Sequence, residues 1–297
     1  MSLITPKQRW FSLMPAYAVI GIFMLLPLLI MVGISLMEQN VYGGVHKAFS
    51  PEAYLNILYE RDLDDLLEFN PAYLIIIARS VILATLATLF CLLLGFPVAY
   101  YIASQPKRRR NLLIFLVTIP FWTNLLVRCF AWVIILGRGG VLDTPFVFLG
   151  IIDESFGLLY SSPAILIGLT YAYLPLMILP MYSSLEKMDS RLMEAAADLY
   201  SSSWETLRHI VIPLALPGII AGSILVFIPA LGDFISPDLL GGAKNLTLGS
   251  LVHFQFITAR NWPFGAAVAV VLLLFVMVNM MLYVWVSRRN QLEKEHG

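Results

Sequence analysis

The polar side chains that could do chemistry lie within or at the ends of long apolar stretches. Asn124 and Arg128 are four residues apart, so they share one face of a helix. Asp233 ends a later apolar stretch, and Asp238 follows it by five residues. A carboxylate in such a place can receive an ammonium group, or it can be a solvated charge at a helix end. If a cation is carried, a bare guanidinium on its path would repel it, and we then favour Arg128 as the partner of one of the two acids.

Three aromatic side chains in the apolar stretches could also bind a cation. The rings of Trp122, Tyr171 and Tyr173 can attract alkylammonium groups, at about 0.5–2 kcal/mol for each contact. Rings in such positions also pack ordinary helix interfaces, and the sequence leaves both interpretations open.

No group of residues in the sequence predicts catalysis or a metal site. The four histidines are scattered, and the two cysteines lie inside apolar stretches, where they act as small hydrophobic side chains. The sequence has no Gly-x-x-x-x-Gly-Lys-[Ser/Thr] phosphate-binding loop. We therefore expect no catalytic residue, no metal and no cofactor bound by this chain.

Composition indicates which kind of protein must position these residues. Of the 297 residues, 59% are hydrophobic and 13% are charged, and the mean hydropathy is +0.82. Soluble domains carry about 25% charged residues. The formal net charge is zero, so no basic surface predicts binding to nucleic acid.

The apolar stretches predict transmembrane helices, each of which needs about 20 mostly apolar residues. Six stretches qualify, and they run over about 11–37, 72–104, 111–136, 161–185, 210–232 and 264–287. We predict an all-α integral membrane protein with six transmembrane helices in a single domain, 1–297.

The positions of lysine and arginine predict the orientation, since these residues favour cytoplasmic loops. A run of four of them, Lys107 to Arg110, lies in a very short loop, and the segments on the same side hold most of the chain's 19 lysines and arginines. Both termini are then cytoplasmic, and the acidic segment 38–71 faces outward. Helical spacing of apolar residues, including Leu63 and Leu66, predicts a short amphipathic helix in that segment.

The largest segment predicted to face the cytoplasm is 186–209. Asp189 or Ser190 can cap a first short helix. Ser202 with Glu205 three residues later predicts a capping box for a second one. The alanines at 195–197 form a smooth surface that another protein could contact closely. The alternative is an interfacial helix-turn-helix that rests on lipid headgroups.

This segment resembles the EAA loop of bacterial ABC importer permeases, which reads Glu-Ala-Ala, three residues, Gly, nine residues, Ile, one residue, Leu-Pro. Tyr200 stands at the position of the Gly, where a tight turn suits Gly better than Tyr, and Ile212 replaces the Leu. The resemblance implies a type I ABC importer permease whose loop docks on a cytoplasmic ATPase. The implied coupling residues are Glu194, Ala195, Ala196, Asp198, Tyr200, Ile210 and Pro213.

Four further stretches resemble the spermidine/putrescine importer permeases; they are 120–124, 179–187, 240–245 and 261–265. The resemblance implies a permease of the bacterial inner membrane that forms a path for polyamines. The implied partners are a second, similar permease, a dimer of cytoplasmic ATP-binding subunits that uses ATP and Mg, and an external periplasmic substrate-binding protein.

Three alternatives remain open from the sequence alone. The chain could be a permease for another small solute, of the opine, iron, thiamine or sulfate type, because these permeases share much of the scaffold. A passive channel would not need an alanine-rich docking loop. A membrane enzyme would need acids and histidines that converge at one membrane face, and the sequence offers no such cluster.

Overall fold

Helices dominate the part of the chain that the computed structural model describes, which is 6–40, 42–61, 67–142, 144 and 157–295. The helices are α1 (Pro6–Ile20), α2 (Leu26–Ser35), α3 (Glu52–Leu55), α4 (Ala72–Ala103), α5 (Lys107–Thr118), α6 (Leu125–Leu136), α7 (Ser162–Leu185), α8 (Ser190–Asp198), α9 (Ser203–Thr206), α10 (Ile212–Gly232), α11 (Leu248–Ile257) and α12 (Trp262–Glu295). The strands are β1 (Met37–Gln39), β2 (Val45–Phe49), β3 (Tyr59–Arg61) and β4 (Leu67–Phe69).

The six predicted membrane spans are confirmed, five as long helices and one as a bent pair of helices. The five are Leu13–Ser35, Ala72–Ala103, Ser162–Leu185, Ser203–Gly232 and Trp262–Met281. Each is apolar and at least 20 residues long, which is the length that a bilayer requires.

The third span departs from the single straight helix predicted over 111–136. α5 and α6 meet at an angle of 87°. Pro120 lies in a tight 3-10 turn between them, and the Asn124 side chain accepts a hydrogen bond from the Leu126 backbone N–H at 2.8 Å, which starts α6 afresh. Asn124 is therefore the N-cap of α6, and Arg128 lies one turn inside it.

The described residues of 38–71 do not form the predicted amphipathic helix. The described part of this segment forms two antiparallel hairpins, β1–β2 and β3–β4, with the single-turn helix α3 between them. Gly43 and Gly44 both have φ of +89°, a conformation that favours glycine and turns the chain between β1 and β2. Leu63 and Leu66, on which the helical spacing depended, lie outside the described residues.

The chain divides into two compact units, of which one comprises Met1–Leu74 and Leu251–Gly297. Within this unit α2 packs against α12. The buried Ser35 hydroxyl hydrogen-bonds the Tyr54 hydroxyl at 2.7 Å, and so ties α3 to the end of α2. The rings of Tyr73 and Phe264 lie 4.9 Å apart.

The other unit, Ile75–Ser250, contains every candidate site residue. Its core forms where α7 packs on α10, around buried residues that include Met177, Met181 and Val226. The two helices approach closely because Gly218 has no side chain: a Cβ there would lie 2.5 Å from the Pro180 carbonyl oxygen. Both cysteines of the chain lie in this unit, buried and free, as small hydrophobic side chains do.

Candidate functional site

Asp233 is a capping residue at the point where α10 ends. One carboxylate oxygen, Oδ1, accepts hydrogen bonds from the backbone N–H groups of Ile235 (2.9 Å) and Ser236 (3.4 Å). The other, Oδ2, accepts one from the Ser236 hydroxyl at 2.6 Å. Asp233 is only 6% exposed, so it is not a solvated charge at a helix end, which was the second interpretation of this residue. Its bonds begin the helical turns that follow, as an N-cap side chain does.

Arg128 points toward the interior of the same unit. Its Nη1 donates a long hydrogen bond of 3.5 Å to the Ala172 carbonyl oxygen. Its Nε is buried and has no hydrogen-bond partner among the residues that the structure describes. Of its two predicted acidic partners, Asp233 forms no ion pair with Arg128 among the described residues.

The two candidate tyrosines have different surroundings. The Tyr173 hydroxyl donates to the Pro229 carbonyl oxygen at 3.5 Å, where the last carbonyls of α10 lack partners within the helix. Tyr171 instead packs edge to face on Trp132, with ring centroids 5.7 Å apart. Trp122, in the turn before α6, is 85% exposed and belongs to neither group.

The structure therefore brings together three of the predicted pathway residues, Arg128, Tyr173 and Asp233, around the end of α10. Asp238 follows in the next turn and is exposed, and its backbone N–H donates to the Phe234 carbonyl oxygen at 3.0 Å. Ser236 was not among the predicted residues, although its place three residues after Asp233 is the usual spacing of a cap.

The coupling segment, which we define as residues 186–209, has the two short helices predicted for it. Asp189 accepts a hydrogen bond from the Arg191 backbone N–H at 3.0 Å and so caps α8, as predicted. The predicted capping box at α9 is confirmed: the Glu205 N–H donates to the Ser202 hydroxyl at 3.3 Å, and the Ser202 N–H donates to Glu205 Oε2 at 2.8 Å.

The alanines of the coupling segment differ in exposure. Ala195 is exposed together with Glu194 and Asp198, whereas Ala196 is 5% exposed and faces the permease itself. The two remaining coupling candidates lie further along the chain, Ile210 half-buried and Pro213 exposed at the start of α10.

Tyr200 adopts the left-handed conformation that its position in the loop requires. Its φ is +58°, and the Ser201 N–H donates to the Ala196 carbonyl oxygen at 3.0 Å, which closes the C-terminus of α8. The Tyr200 side chain is 97% exposed, and Leu199 and Trp204 beside it are also largely exposed. Leu199 and Trp204 were not among the predicted residues, because apolar residues in a short helical segment are normally expected to pack inward.

Arg110 contacts the first residue of the coupling segment. Its Nη1 donates to Glu186 Oε1 at 3.0 Å, and its Nη2 donates to the Ala103 carbonyl oxygen at 2.9 Å. The Tyr182 hydroxyl and the bonded Arg110 guanidinium lower the pKa of Glu186 below its ordinary value. The carboxylate is therefore ionised at neutral pH and holds Arg110 as a charged pair.

These features define a multi-pass helical membrane protein with a capped, partly apolar segment exposed between its fourth and fifth spans. Residues 92–291 match the family described as binding-protein-dependent transport system inner membrane component. The spermidine/putrescine transport system permease protein PotB of Escherichia coli K12 is 41% identical over 268 residues, which cover 90% of this chain and 93% of that protein. PotB of Haemophilus influenzae is 36% identical over 292 residues, which cover 98% of this chain and 97% of that protein.

A solved structure has the same fold. It is a bacterial ABC transporter involved in the import of the acidic polysaccharide alginate, with a TM-score of 0.75 and 15% identity over 95% of this chain and 96% of that one. The same transporter was solved in complex with an alginate pentasaccharide-bound periplasmic protein, again with a TM-score of 0.75.

This chain therefore belongs to the family of binding-protein-dependent transport system inner membrane components. It is a multi-pass protein of the bacterial inner membrane and the permease subunit of an ABC importer.

Proposed function

We propose that this chain forms the membrane path of an ATP-driven importer for spermidine and putrescine. The observation that carries the proposal is the identity of 36–41% to permeases named for these two polyamines, over at least 90% of the chain. The acidic side chains near the end of α10 support it, because polyamines are polycations. No observation favours another small solute, a passive channel or a membrane enzyme over this function.

The proposed partners are a second, similar permease, a dimer of cytoplasmic ATP-binding subunits and a periplasmic substrate-binding protein. In this arrangement the ATP-binding subunits use ATP and Mg, while this chain binds no cofactor and is not an enzyme. The fold shared with the alginate transporter, which was solved with a periplasmic protein, supports the assembly. Both termini of the chain are cytoplasmic in this proposal, as is the coupling segment.

The coupling segment is proposed to dock on the ATP-binding subunit through its exposed side. Glu194, Ala195 and Asp198 lie on that side, as does the Tyr200 ring beyond the helix end. Small side chains let a partner approach closely, and an exposed ring can supply apolar contact. Five acids outnumber three basic residues in 186–209, so an anionic lipid surface would repel the segment.

The pathway residues are proposed to divide into contact and positioning roles. Asp233 has three hydrogen bonds to its carboxylate and lies buried, so it holds the turn that follows α10. Asp238 lies on that turn and is exposed, so it is the better placed of the two acids to receive an ammonium group. Asn124, Arg128 and the three aromatic candidates complete the proposed path.

Transport by the reconstituted complex tests the function. The chain, co-expressed with its ATP-binding subunits, partner permease and binding protein, is placed in ATP-loaded liposomes oriented for uptake. We expect uptake of labelled spermidine and putrescine that unlabelled polyamine suppresses and that molybdate or an alginate oligosaccharide leaves unchanged. Uptake of molybdate or of an alginate oligosaccharide in place of polyamine would refute the proposal. Polyamine uptake that does not require ATP would also refute it.

A further inference from the structure

Arg110 connects the ends of three helices of one unit. It lies in the first turn of α5, its Nη2 caps the last residue of α4 through the Ala103 carbonyl oxygen, and its Nη1 holds Glu186, directly after α7. The carbonyl groups in the last turn of a helix have no partner within the helix. The guanidinium therefore satisfies a group that would otherwise need water.

Only an arginine can make these contacts together. The two bonds leave from different nitrogens of one planar group, and a lysine would offer a single compact charge in its place. The Arg110 side chain is 22% exposed, although it belongs to a run of basic residues. The side chains of its neighbours Arg108 and Arg109 are exposed and make no hydrogen bond or ion pair among the described residues. Among these three arginines, Arg110 is therefore the one whose side chain connects helices.

A buried tyrosine lies one turn before the carboxylate partner. Tyr182 on α7 is 8% exposed, and its hydroxyl lowers the pKa of Glu186. The bonds of Arg110 to Glu186 and to Ala103 tie the end of α7 to α5 and to the end of α4. Glu186 is also the first residue of the coupling segment, so a displacement of this segment acts directly on these bonds.

We propose that Arg110 is a positioning residue that transmits movement of the coupling segment to the second and third spans. The inference rests on the proposed function, because it requires that an ATP-binding subunit moves this segment. Two bonds to two helix ends make the junction stiff, so α4 and α5 follow α7 when the segment shifts. Without the junction, ATP hydrolysis continues but fewer polyamines cross the membrane for each ATP.

The test compares Arg110→Gln with Arg109→Gln in the reconstituted complex. The two variants remove the same charge from the same basic run, so they match in their effect on topology and surface charge. We expect Arg110→Gln to keep its ATP-binding subunits and its ATP hydrolysis, and to lose at least about fivefold in spermidine transported per ATP, the lower range of coupling between sites. Arg109→Gln should stay at the wild-type ratio.

Two further variants separate connection from folding. Arg110→Lys keeps the charge but loses the two bonding nitrogens of the planar guanidinium. Its spermidine transported per ATP should therefore lie between that of wild type and that of Arg110→Gln. The exchanged pair Arg110→Glu with Glu186→Arg restores the ion pair across the same two helices, and it should recover part of the loss seen with Arg110→Glu alone. Equal ratios for Arg110→Gln and Arg109→Gln, or no recovery in the exchanged pair, would overturn the proposal.

A measurement without transport keeps the inference distinct from the proposed function. In the assembled complex, we expect hydrogen exchange of the backbone N–H groups in 186–192 to be faster in Arg110→Lys than in Arg109→Lys. If the wild-type complex transports no polyamine, the proposed function fails while this comparison still tests the connection. Identical exchange in the two lysine variants would show that Arg110 does not hold the segment.

Discussion

Replacing Tyr200 by glycine should stabilise the permease while weakening its contact with the ATP-binding subunit. Tyr200 has a φ of +58°, a region in which an L-residue costs about 1–2 kcal/mol. Glycine removes this cost, but it loses about 0.5–1 kcal/mol more conformational freedom on folding. Because the Tyr200 side chain is 97% exposed, the substitution sacrifices almost no packing within the chain. The expected net gain is about 0.5–1 kcal/mol.

Thermal unfolding of the purified permease in detergent measures this gain. For a chain of this size, about 0.5–1 kcal/mol corresponds to a rise in Tm of about 1–3 °C. The matched control is Tyr200→Ala, which removes the same ring and keeps the strained backbone, so its Tm should not rise. A Tyr200→Gly variant no more stable than Tyr200→Ala would refute the argument from backbone strain.

The same pair of variants also tests the docking role of the ring. Glycine and alanine both remove it, so both should lower the amount of ATP-binding subunit that co-purifies with the permease, and by similar factors. Stability and association would then change in opposite directions for Tyr200→Gly. Undiminished association in both variants would show that the exposed ring does not contact the ATP-binding subunit.

Three other substitutions have expected outcomes. Ala195→Trp should abolish binding of the ATP-binding subunit and leave the Tm unchanged. Ala196→Trp, at a buried position, should instead destabilise the permease itself by about 1–3 kcal/mol. Loss of binding in Ala196→Trp alone would contradict the assignment of Ala195 to the outer face and Ala196 to the inner one. Gly218→Ala places a Cβ 2.5 Å from a backbone oxygen of the facing helix and should lower the Tm, as thermal unfolding will show. Asp238→Asn should raise the KM for spermidine uptake with assembly intact. Asp233→Asn should mainly lower the Tm, because it weakens a cap worth about 1 kcal/mol. The opposite result would make Asp233 the residue that contacts the substrate and Asp238 the cap.

Much of the candidate site was predicted because its signals are local. The capping box needs only Ser202 and Glu205 three residues apart, and the structure contains both of its hydrogen bonds. Tyr200 was recognised as an unusual residue for a tight turn, and the turn keeps its left-handed backbone nevertheless. In the described part of 38–71, strands pair in two hairpins where the spacing of apolar residues predicts an amphipathic helix.

The sequence by itself determined that the chain spans the membrane and where, because about 20 consecutive apolar residues must cross a bilayer as helices whatever their neighbours. The tertiary structure alone decided the burial of Asp233 and which of two adjacent alanines faces outward. It also decided that Arg110 meets a carboxylate 76 residues away. Such contacts depend on how helices pack against one another, and a helical pattern that is apolar on every side does not specify which face meets which neighbour.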